Sequence, residues 1–242
     1  MFSTIAIDCM GGDFAPRVII DGVIATIKSG ISDLFFLLYG DETLEDYLKN
    51  VPSEYRKHFE FFLTKSVDLK NMKPSTAIRT ARNSSMGMAI EAVKTHKASA
   101  CISAGNTGAY MALAKILLKT IPGIDRPAIA TLIPKKTGKV VMLDLGANAD
   151  CTAKNLIDFS LLGEALAEIA FQKYNPKTAL LNIGAESIKG NLIVQETFKK
   201  LNEHKYLSNF VGFIEGDEIF DTDYDVVVTD GFSGNVALKV TE

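Results

Sequence analysis

Small and polar residues follow several apolar runs of this 242-residue chain. The clearest example is SAGNTG, residues 103 to 108, which stands between an apolar run and a helical pattern. Glycine lets backbone N–H groups approach a ligand closely, and the start of a helix adds free N–H groups and a positive dipole end. Ser103, Asn106 and Thr107 can add side-chain donors. The turn therefore predicts a cradle for an anion.

Four more apolar runs end in the same way. They lead into DCMGGD (8–13), DLGANAD (144–150), NIGAES (182–187) and TDGFSGN (229–235). A glycine after a strand is often only a turn residue, so each segment taken alone fits a structural role equally well. Ligands of open parallel sheets bind beyond the carboxyl ends of the strands. The recurrence of these ends therefore favours one crevice walled by all five.

Carboxylates, amides and cations in these segments are the candidate site residues. Those in the strand ends are Asp8, Asp13, Asp144, Asn148, Asp150, Asn182, Glu186, Asp230 and Asn235. Each alone is weak support, because Asp and Asn also favour turns for local reasons. Arg79 and Arg82 share a face if their segment is helical, and a forked guanidinium suits phosphate, although a solvated face explains them equally well. Lys189 is a further candidate cation.

Several kinds of chemistry are not indicated. The chain has neither G-x-x-x-x-G-K-[ST] nor G-x-G-x-x-G, so ATP and NAD are not expected, and we predict no cofactor and no metal. The histidines lie in polar segments far from the glycine turns, which argues against a histidine-driven triad. Ser84 is better explained as a helix N-cap than as a nucleophile, and Cys9 and Cys101 as buried thiols.

Composition places the chain among ordinary globular proteins. A net charge of -3 and a pI near 5.7 argue against nucleic-acid binding, which needs a strong basic excess. Three cysteines without zinc-type spacing suit a reducing compartment, so a cytoplasmic location is expected. No apolar run is long enough to span a membrane, and the N-terminus lacks a signal-peptide pattern.

Nine apolar runs predict strands, and five amphipathic segments between them predict helices. The strands are expected at 4–8, 34–40, 59–64, 99–105, 128–134, 139–146, 178–184, 210–216 and 225–231, and the helices at 17–28, 84–96, 108–120, 155–172 and 191–204. This alternation predicts an α/β fold with a mainly parallel sheet. We predict one domain over residues 1–242.

In collinear order, the glycine-rich segments resemble the bacterial phosphate acyltransferase family. The matching stretches include AIDCMGGDFAP, KPSTAIRTARNSSMGMAIEAVK, SAGNTGAYMA, IPGIDRPAIATLIP, DLGANADC, LLNIGAESIKGN, NFVGFIEGDEIF and VVVTDGFSGNVALK. The resemblance implies a Rossmann-like α/β/α sandwich similar to isocitrate and isopropylmalate dehydrogenases and phosphotransacetylases. It also implies a homodimer that moves a fatty acyl group from acyl carrier protein to inorganic phosphate, giving acyl phosphate for phospholipid synthesis.

The chain departs from the family pattern in two respects. The family commonly has alanine at the positions of Cys9 and Cys101, which argues further against either thiol as a nucleophile. Family members also continue for several tens of residues beyond GNVALK, so a C-terminal portion is expected to be missing. In the family that portion supplies helices for dimer contact and membrane attachment.

The resemblance suggests roles for the candidates. Gly11, Gly12 and the residues from Ser103 to Gly108, including Gly105, Asn106 and Thr107, would hold phosphate together with Arg79 or Arg82. Asn148, Asn182 and Lys189 would donate to the oxyanion or the acyl phosphate. The aspartates would orient these donors, because a carboxylate facing phosphate repels it. The catalytic candidates are Asn148, Asn182, Lys189 and Asp230, and the other binding candidates are Asp8, Asp13, Gly231 and Asn235.

The expected partners are acyl carrier protein and inorganic phosphate. Because the carrier is acidic, Lys135, Lys136 and Lys139 form a candidate docking patch, although such a turn more often serves solubility. The chain is expected in the cytoplasm or at the inner face of the membrane. Two alternatives stay open: a phosphotransacetylase that acts on acyl-CoA, and a non-catalytic protein that binds phosphate ligands.

Overall fold

The computed structural model describes residues 3–31, 33–65, 80–204, 206–207 and 209–242. The chain divides into two compact units, Met1–Lys119 and Thr120–Glu242. Each unit has its own sheet, and each is described separately below. The single domain expected over residues 1–242 stays a prediction.

The first unit is built on a four-stranded parallel sheet in the order β3-β2-β1-β4. Its elements in chain order are β1 (Ser3–Asp8), α1 (Arg17–Lys28), β2 (Leu34–Gly40), α2 (Glu42–Leu48), α3 (Ser53–Arg56), β3 (Phe59–Leu63), α4 (Ser85–Lys94), β4 (Ala100–Ser103) and α5 (Thr107–Leu118).

Both faces of this sheet are covered by helices. Successive side chains of a strand point to opposite faces. On β1, Ile7 packs with Ile20 of α1, whereas Ala6 packs with Ala89 of α4. Apolar side chains therefore stand on both faces of β1, as expected for a strand that is covered on both sides. Ser84 accepts a hydrogen bond from the N–H of Gly87 at 3.1 Å, which confirms its predicted role as an N-cap.

The second unit is built on a five-stranded sheet in the order β5-β6-β9-β7-β8. Only β5 is antiparallel to its neighbour, since β5 and β6 form a hairpin. The elements are β5 (Ala130–Lys135), β6 (Gly138–Leu143), α6 (Ala153–Phe171), β7 (Thr178–Leu181), α7 (Leu192–His204), β8 (Phe210–Ile214), a short 3-10 helix (Gly216–Glu218), β9 (Val226–Val228) and α8 (Gly231–Thr241).

The second sheet also has helices on both faces. Val141 of β6 packs with Phe159 of α6 and Leu201 of α7. Its neighbour Val140 faces the other way and belongs to the cluster against which Leu238 of α8 packs. Within the described ranges, no helix is long and apolar enough to cross a bilayer.

The predicted α/β class is confirmed. Each of the nine predicted strands and five predicted helices corresponds to an observed element, with ends that differ by a few residues at most. The sequence pattern did not reveal that the strands are divided between two sheets, because strand partners depend on contacts distant in sequence. Two of the five glycine-rich strand ends belong to the first unit and three to the second. One crevice formed by all five stays a prediction.

Candidate active site

The glycine turns of the first unit follow two neighbouring strands. β1 and β4 are parallel partners, and Asp8 at the end of β1 stands opposite Ser103 at the end of β4. Because the carboxyl ends of parallel strands lie at the same edge, the turns GGD and SAGNTG begin side by side. The pairing therefore brings together two segments that are separated by 95 residues between Asp8 and Ser103.

Gly11 and Gly105 bring the two turns into backbone contact. A Cβ atom placed on Gly11 would lie 2.6 Å from the backbone nitrogen of Gly105 and 2.8 Å from the Asp8 Oδ2 atom. A Cβ placed on Gly105 would meet the Met86 side chain at 2.8 Å. Real Cβ atoms do not approach a backbone atom so closely, so Gly11 needs glycine for lack of space, whereas at Gly105 the end of the flexible Met86 side chain would have to move. The neighbouring Gly12 has a φ of +97°, a conformation that side chains disfavour.

A chain of hydrogen bonds ties the turns to a buried carboxylate. The Ser103 hydroxyl donates to Asp8 Oδ2 at 2.6 Å, and the Gly105 N–H donates to the Ser103 oxygen at 3.1 Å. The Met10 N–H donates to the other Asp8 oxygen at 3.2 Å. Asp8 is only 2% exposed. Its carboxylate therefore holds both turns in place.

The turn after β4 leads directly into α5. The Asn106 Oδ1 atom accepts a hydrogen bond from the Ala109 N–H at 2.9 Å and caps the helix. Asn106, Thr107 and Gly108 are exposed. The first backbone N–H groups of a helix have no partner within it, so this end can receive an anion. Asp13 lies exposed in the turn after β1 and has an interaction partner of its own.

Of the two predicted arginines, Arg82 is the one within the described ranges, and its guanidinium is paired. Arg82 forms an ion pair with Glu91 at 3.9 Å, and its side chain is 60% exposed. It lines a cavity with Tyr39 and Phe62, apart from the glycine turns. Arg79 lies outside the described residues.

In the second unit, Asp144 organises the loop after β6. Its carboxylate is fully buried and accepts four hydrogen bonds: from the N–H groups of Ile129, Ala147 and Asn148, and from the Asn148 side chain. The Asn148 amide donates to Asp144 at 2.8 Å and to the Pro127 carbonyl at 2.9 Å. Both of its hydrogens are thus used within the protein. In this arrangement Asn148 holds the loop and has no N–H left for a substrate.

Two glycines of α8 allow that helix to pack against the same loop. A Cβ placed on Gly231 would lie 2.7 Å from the Asn148 carbonyl oxygen, and one on Gly234 would lie 1.9 Å from the Asp144 carbonyl oxygen. Asp230 caps the helix by accepting from the Ser233 N–H and hydroxyl, each at 2.9 Å. The exposed Asn235 lies beside Gly146 of the loop.

Asn182 and Gln195 hold the loop after β7. The Asn182 amide donates to the carbonyls of Gly184 at 3.0 Å and Lys189 at 3.3 Å. Gln195 of α7 donates to the carbonyls of Ile188 and Gly190 at 2.9 and 3.0 Å. The Lys189 side chain is exposed and forms no ion pair with any residue of the described ranges. Lys189 is therefore a cation available for a ligand, whereas Asn182 supports the loop that carries it.

Two adjoining cavities lie beyond the carboxyl ends of β6, β7 and β9. Their volumes are about 480 and 520 Å³. They share four lining residues: Asn191, Val194, Asp230 and Ser233. This is the position at which α/β sheets bind ligands.

The family model described as "Fatty acid synthesis protein" matches residues 3–242. The chain belongs to the fatty acid synthesis protein family. Curated relatives carry the name phosphate acyltransferase. One from a Shewanella species is 46% identical over 241 residues, covering 99% of this chain and 70% of the relative. One from Methylococcus capsulatus is also 46% identical, with the same coverage. One from Rhodospirillum rubrum is 45% identical over 238 residues, covering 98% of this chain and 68% of the relative.

Solved structures share the fold of this fatty acid synthesis protein at low sequence identity. The EutD phosphotransacetylase from Staphylococcus aureus has a TM-score of 0.67 at 16% identity. The match covers 99% of this chain and 81% of the phosphotransacetylase chain. A branched-chain phosphotransacylase from Enterococcus faecalis has a TM-score of 0.64 at 17% identity, with coverage of 98% and 83%. The predicted similarity to phosphotransacetylase folds is confirmed.

The cysteines of this family member have the features of structural thiols. Burial raises the pKa of the Cys9 thiol and, to about 11, that of Cys101, with the charge of Asp8 adding to both. Burial likewise raises the pKa of Cys151, which lines the smaller of the two cavities. Because the thiolate is the nucleophile, none of the three is activated.

Alkylation tests this assignment. At pH 8 the raised pKa keeps Cys101 protonated, so iodoacetamide should modify it about a hundredfold more slowly than free cysteine, with the rate rising toward pH 11. Mass spectrometry of timed samples measures the rate. Cys101→Ala should retain its activity. Fast modification at pH 8, or inactivation by the alanine substitution, would contradict the structural role.

Some residues that shape the second unit's site were not predicted. Asn191 precedes α7 and accepts a hydrogen bond from the Val194 N–H at 2.9 Å. The signal that could have identified it is a polar residue that follows a glycine at the start of a helical pattern. Arg126 donates to the Asp150 carbonyl at 3.3 Å. No local pattern marks Arg126, because its partner lies 24 residues away.

Proposed function

We propose that this chain transfers a fatty acyl group from acyl carrier protein to inorganic phosphate, giving acyl phosphate for phosphatidic acid and phospholipid synthesis. The observation that carries the proposal is the backbone contact between the two glycine turns of the first unit, at Gly11 and Gly105. Membership of the fatty acid synthesis protein family supports a fatty acyl donor. The name phosphate acyltransferase among the relatives supports phosphate as the acceptor.

The reaction fits a site without a histidine. A phosphate oxygen attacks the thioester carbonyl carbon, the carbon–sulfur bond breaks, and the sulfur leaves as a thiolate that takes up a proton. Phosphate is already ionised near neutral pH, and a thiol with a pKa of about 8.5 is a fair leaving group. The protein must therefore align phosphate with the carbonyl and stabilise the oxyanion, which N–H groups and cations can do.

The residues take the following roles in this proposal. Phosphate is bound by backbone N–H groups of the two turns and of the first turn of α5, other than those of Met10, Gly105 and Ala109, which donate within the protein. Asp8 and Ser103 fix the turns, so Asp8 acts as a positioning residue rather than a base. In the second unit, Asp144 and Asn148 position one loop and Asn182 positions another. Asp230 caps α8. Lys189 supplies positive charge to the acyl phosphate or the oxyanion.

Two of the three lysines proposed for carrier docking have partners within the protein. Lys135 donates to the Tyr224 carbonyl at 2.7 Å, and Lys136 pairs with Asp221 at 2.6 Å. Lys139 is exposed and is the remaining lysine of the three for an acidic carrier. Dimer formation, a cytoplasmic location and attachment to the inner face of the membrane remain predictions.

A transfer assay tests the function and the role of Lys189 together. The purified chain is incubated with radiolabelled phosphate and either long-chain acyl carrier protein or long-chain acyl-CoA. Free thiol and lipid-extractable labelled acyl phosphate are followed. We expect transfer from the carrier. Lys189→Ala should lower turnover about tenfold, the scale of one charged hydrogen bond, without lowering the unfolding midpoint. Lys199→Ala on the exposed side of α7 is the matched control.

Each other outcome has a definite meaning. Transfer from acyl-CoA alone would favour the phosphotransacetylase alternative, and phosphate binding without transfer would favour the non-catalytic one. Parallel losses of turnover and stability in Lys189→Ala, or losses equal to those of Lys199→Ala, would remove Lys189 from the site.

A further inference from the structure

An apolar surface borders the two adjoining cavities of the second unit. Ile183, Ile193 and Phe232, which we call the apolar wall, line these cavities while being 77%, 37% and 69% exposed. The buried Val194 also lines both cavities. Single exposed apolar side chains are common, but several around two adjoining cavities mark a binding surface.

The fold holds this wall in its exposed position. Ile183 stands in the loop that the Asn182 amide fixes through two carbonyl oxygens. Ile193 lies in the first turn of α7, which Asn191 caps. Phe232 lies in the first turn of α8, which Asp230 caps. All three side chains thus start from anchored backbone, which lowers the cost of ordering them on a ligand.

The polar lining of the same cavities argues against an anionic occupant. Its charged members are all carboxylates: Asp150, Asp217, Asp230 and Glu215. Asp230 already accepts a hydrogen bond from Ser233, and Glu215 takes part in a capping box with Glu218. Negative charge at this density repels phosphate and free fatty acid, whereas an uncharged thioester is not repelled. The chemistry that fits is a neutral acyl group with an apolar chain.

We propose that the apolar wall binds the alkyl chain of the acyl thioester. This inference rests on the proposed function and assigns the donor's chain to a surface of the second unit. The wall contacts the methylene groups beyond the reacting carbonyl, so its contribution grows with chain length. Ile188 and Leu192, in the segment that carries Ile183 and Ile193, are also exposed.

The kinetic test compares chain lengths. Ile183→Gln and Phe232→Gln should each lower kcat/KM for hexadecanoyl carrier protein about tenfold, the effect of losing one buried apolar side chain, and should change kcat/KM for hexanoyl carrier protein much less. Ile169→Gln is the matched control, because Ile169 is 79% exposed on α6 and does not line these cavities. Equal losses at both lengths, or no loss, would overturn the proposal.

A binding test keeps the inference separate from turnover. The chain contains no tryptophan, so Phe232→Trp introduces a single fluorescent reporter. Hexadecanoyl-pantetheine should shift its emission to shorter wavelength, butyryl-pantetheine should not, and Ile169→Trp should respond to neither. If the emission shifts but the protein has no transfer activity, the proposed function fails and the role of the apolar wall in binding the alkyl chain is retained. No shift would overturn the proposed role of the apolar wall.

Light scattering tests a different role for the same surface. A changed oligomeric state of Ile183→Gln, with unaltered chain-length dependence, would make the apolar wall an interface between copies of the chain and overturn the proposal.

Discussion

Replacing Gly11 by alanine is expected to lower kcat/KM for phosphate by more than about a hundredfold, because a misplacement near 1 Å in a site has that effect. The new Cβ would lie 2.6 Å from the Gly105 nitrogen and 2.8 Å from the Asp8 carboxylate. The first neighbour is a backbone atom and the second is a buried, hydrogen-bonded carboxylate, so the two turns must separate. Their N–H groups then no longer converge on one anion. Initial rates at varied phosphate concentration measure the loss.

Gly22→Ala is the matched control for this substitution. Gly22 lies inside α1, and a Cβ placed there meets nothing within 4 Å. Alanine should stabilise the helix by about 0.5–1 kcal/mol and leave the rates unchanged. We expect overpacking in Gly11→Ala to lower stability by about 1–3 kcal/mol, so its folded state is checked by circular dichroism. Full activity in a folded Gly11→Ala protein would contradict the phosphate cradle.

Replacing Asp144 by alanine is expected to produce the largest loss of stability, about 3 kcal/mol or more, because it leaves several buried donors without a partner. Three backbone N–H groups and one amide depend on this fully buried carboxylate. Asp144→Asn should lose nearly as much stability, since the NH2 group of the new side chain would face N–H donors and could not accept from them. The midpoint of urea unfolding reports the change.

Asp150→Ala is the control within the same loop. Asp150 is exposed, and its substitution should change stability by no more than about 0.5 kcal/mol. A midpoint for Asp144→Ala that matched the control would show that the loop does not depend on the carboxylate. Asn148 belongs to this loop and α8 packs against it. Loss of acyl transfer should therefore accompany the loss of stability.

The glycine-rich segments illustrate what a motif leaves open. Gly11 and Gly105 bring together two turns at a strand edge, whereas Gly231 and Gly234 let a helix pack on the Asp144 loop. All four appear alike in the sequence, each in a polar segment after an apolar run. The difference lies in what occupies the space of the missing Cβ, and that depends on residues far away in the chain.

The amides show the same limit. Asn148 and Asn182 are predicted as donors to the oxyanion or the acyl phosphate, a role that the family resemblance suggests. In the structure each gives both amide hydrogens to groups of the protein. The hydrogen-bond pattern supports positioning roles for both amides, and their direct roles in transfer stay predictions. Lys189 differs because its side chain is left exposed.

Local patterns in the chain predict the strands, the helices, the N-cap at Ser84 and the family. These follow from apolar periodicity, from short-range capping and from collinear motifs, which are all local in the chain. The folded chain was needed to reveal the division into two sheets, the contact of Gly11 with Gly105, the partners of Asp144 and the apolar wall. Each of these depends on groups that are distant in sequence and close in space, and no local pattern records which groups will meet.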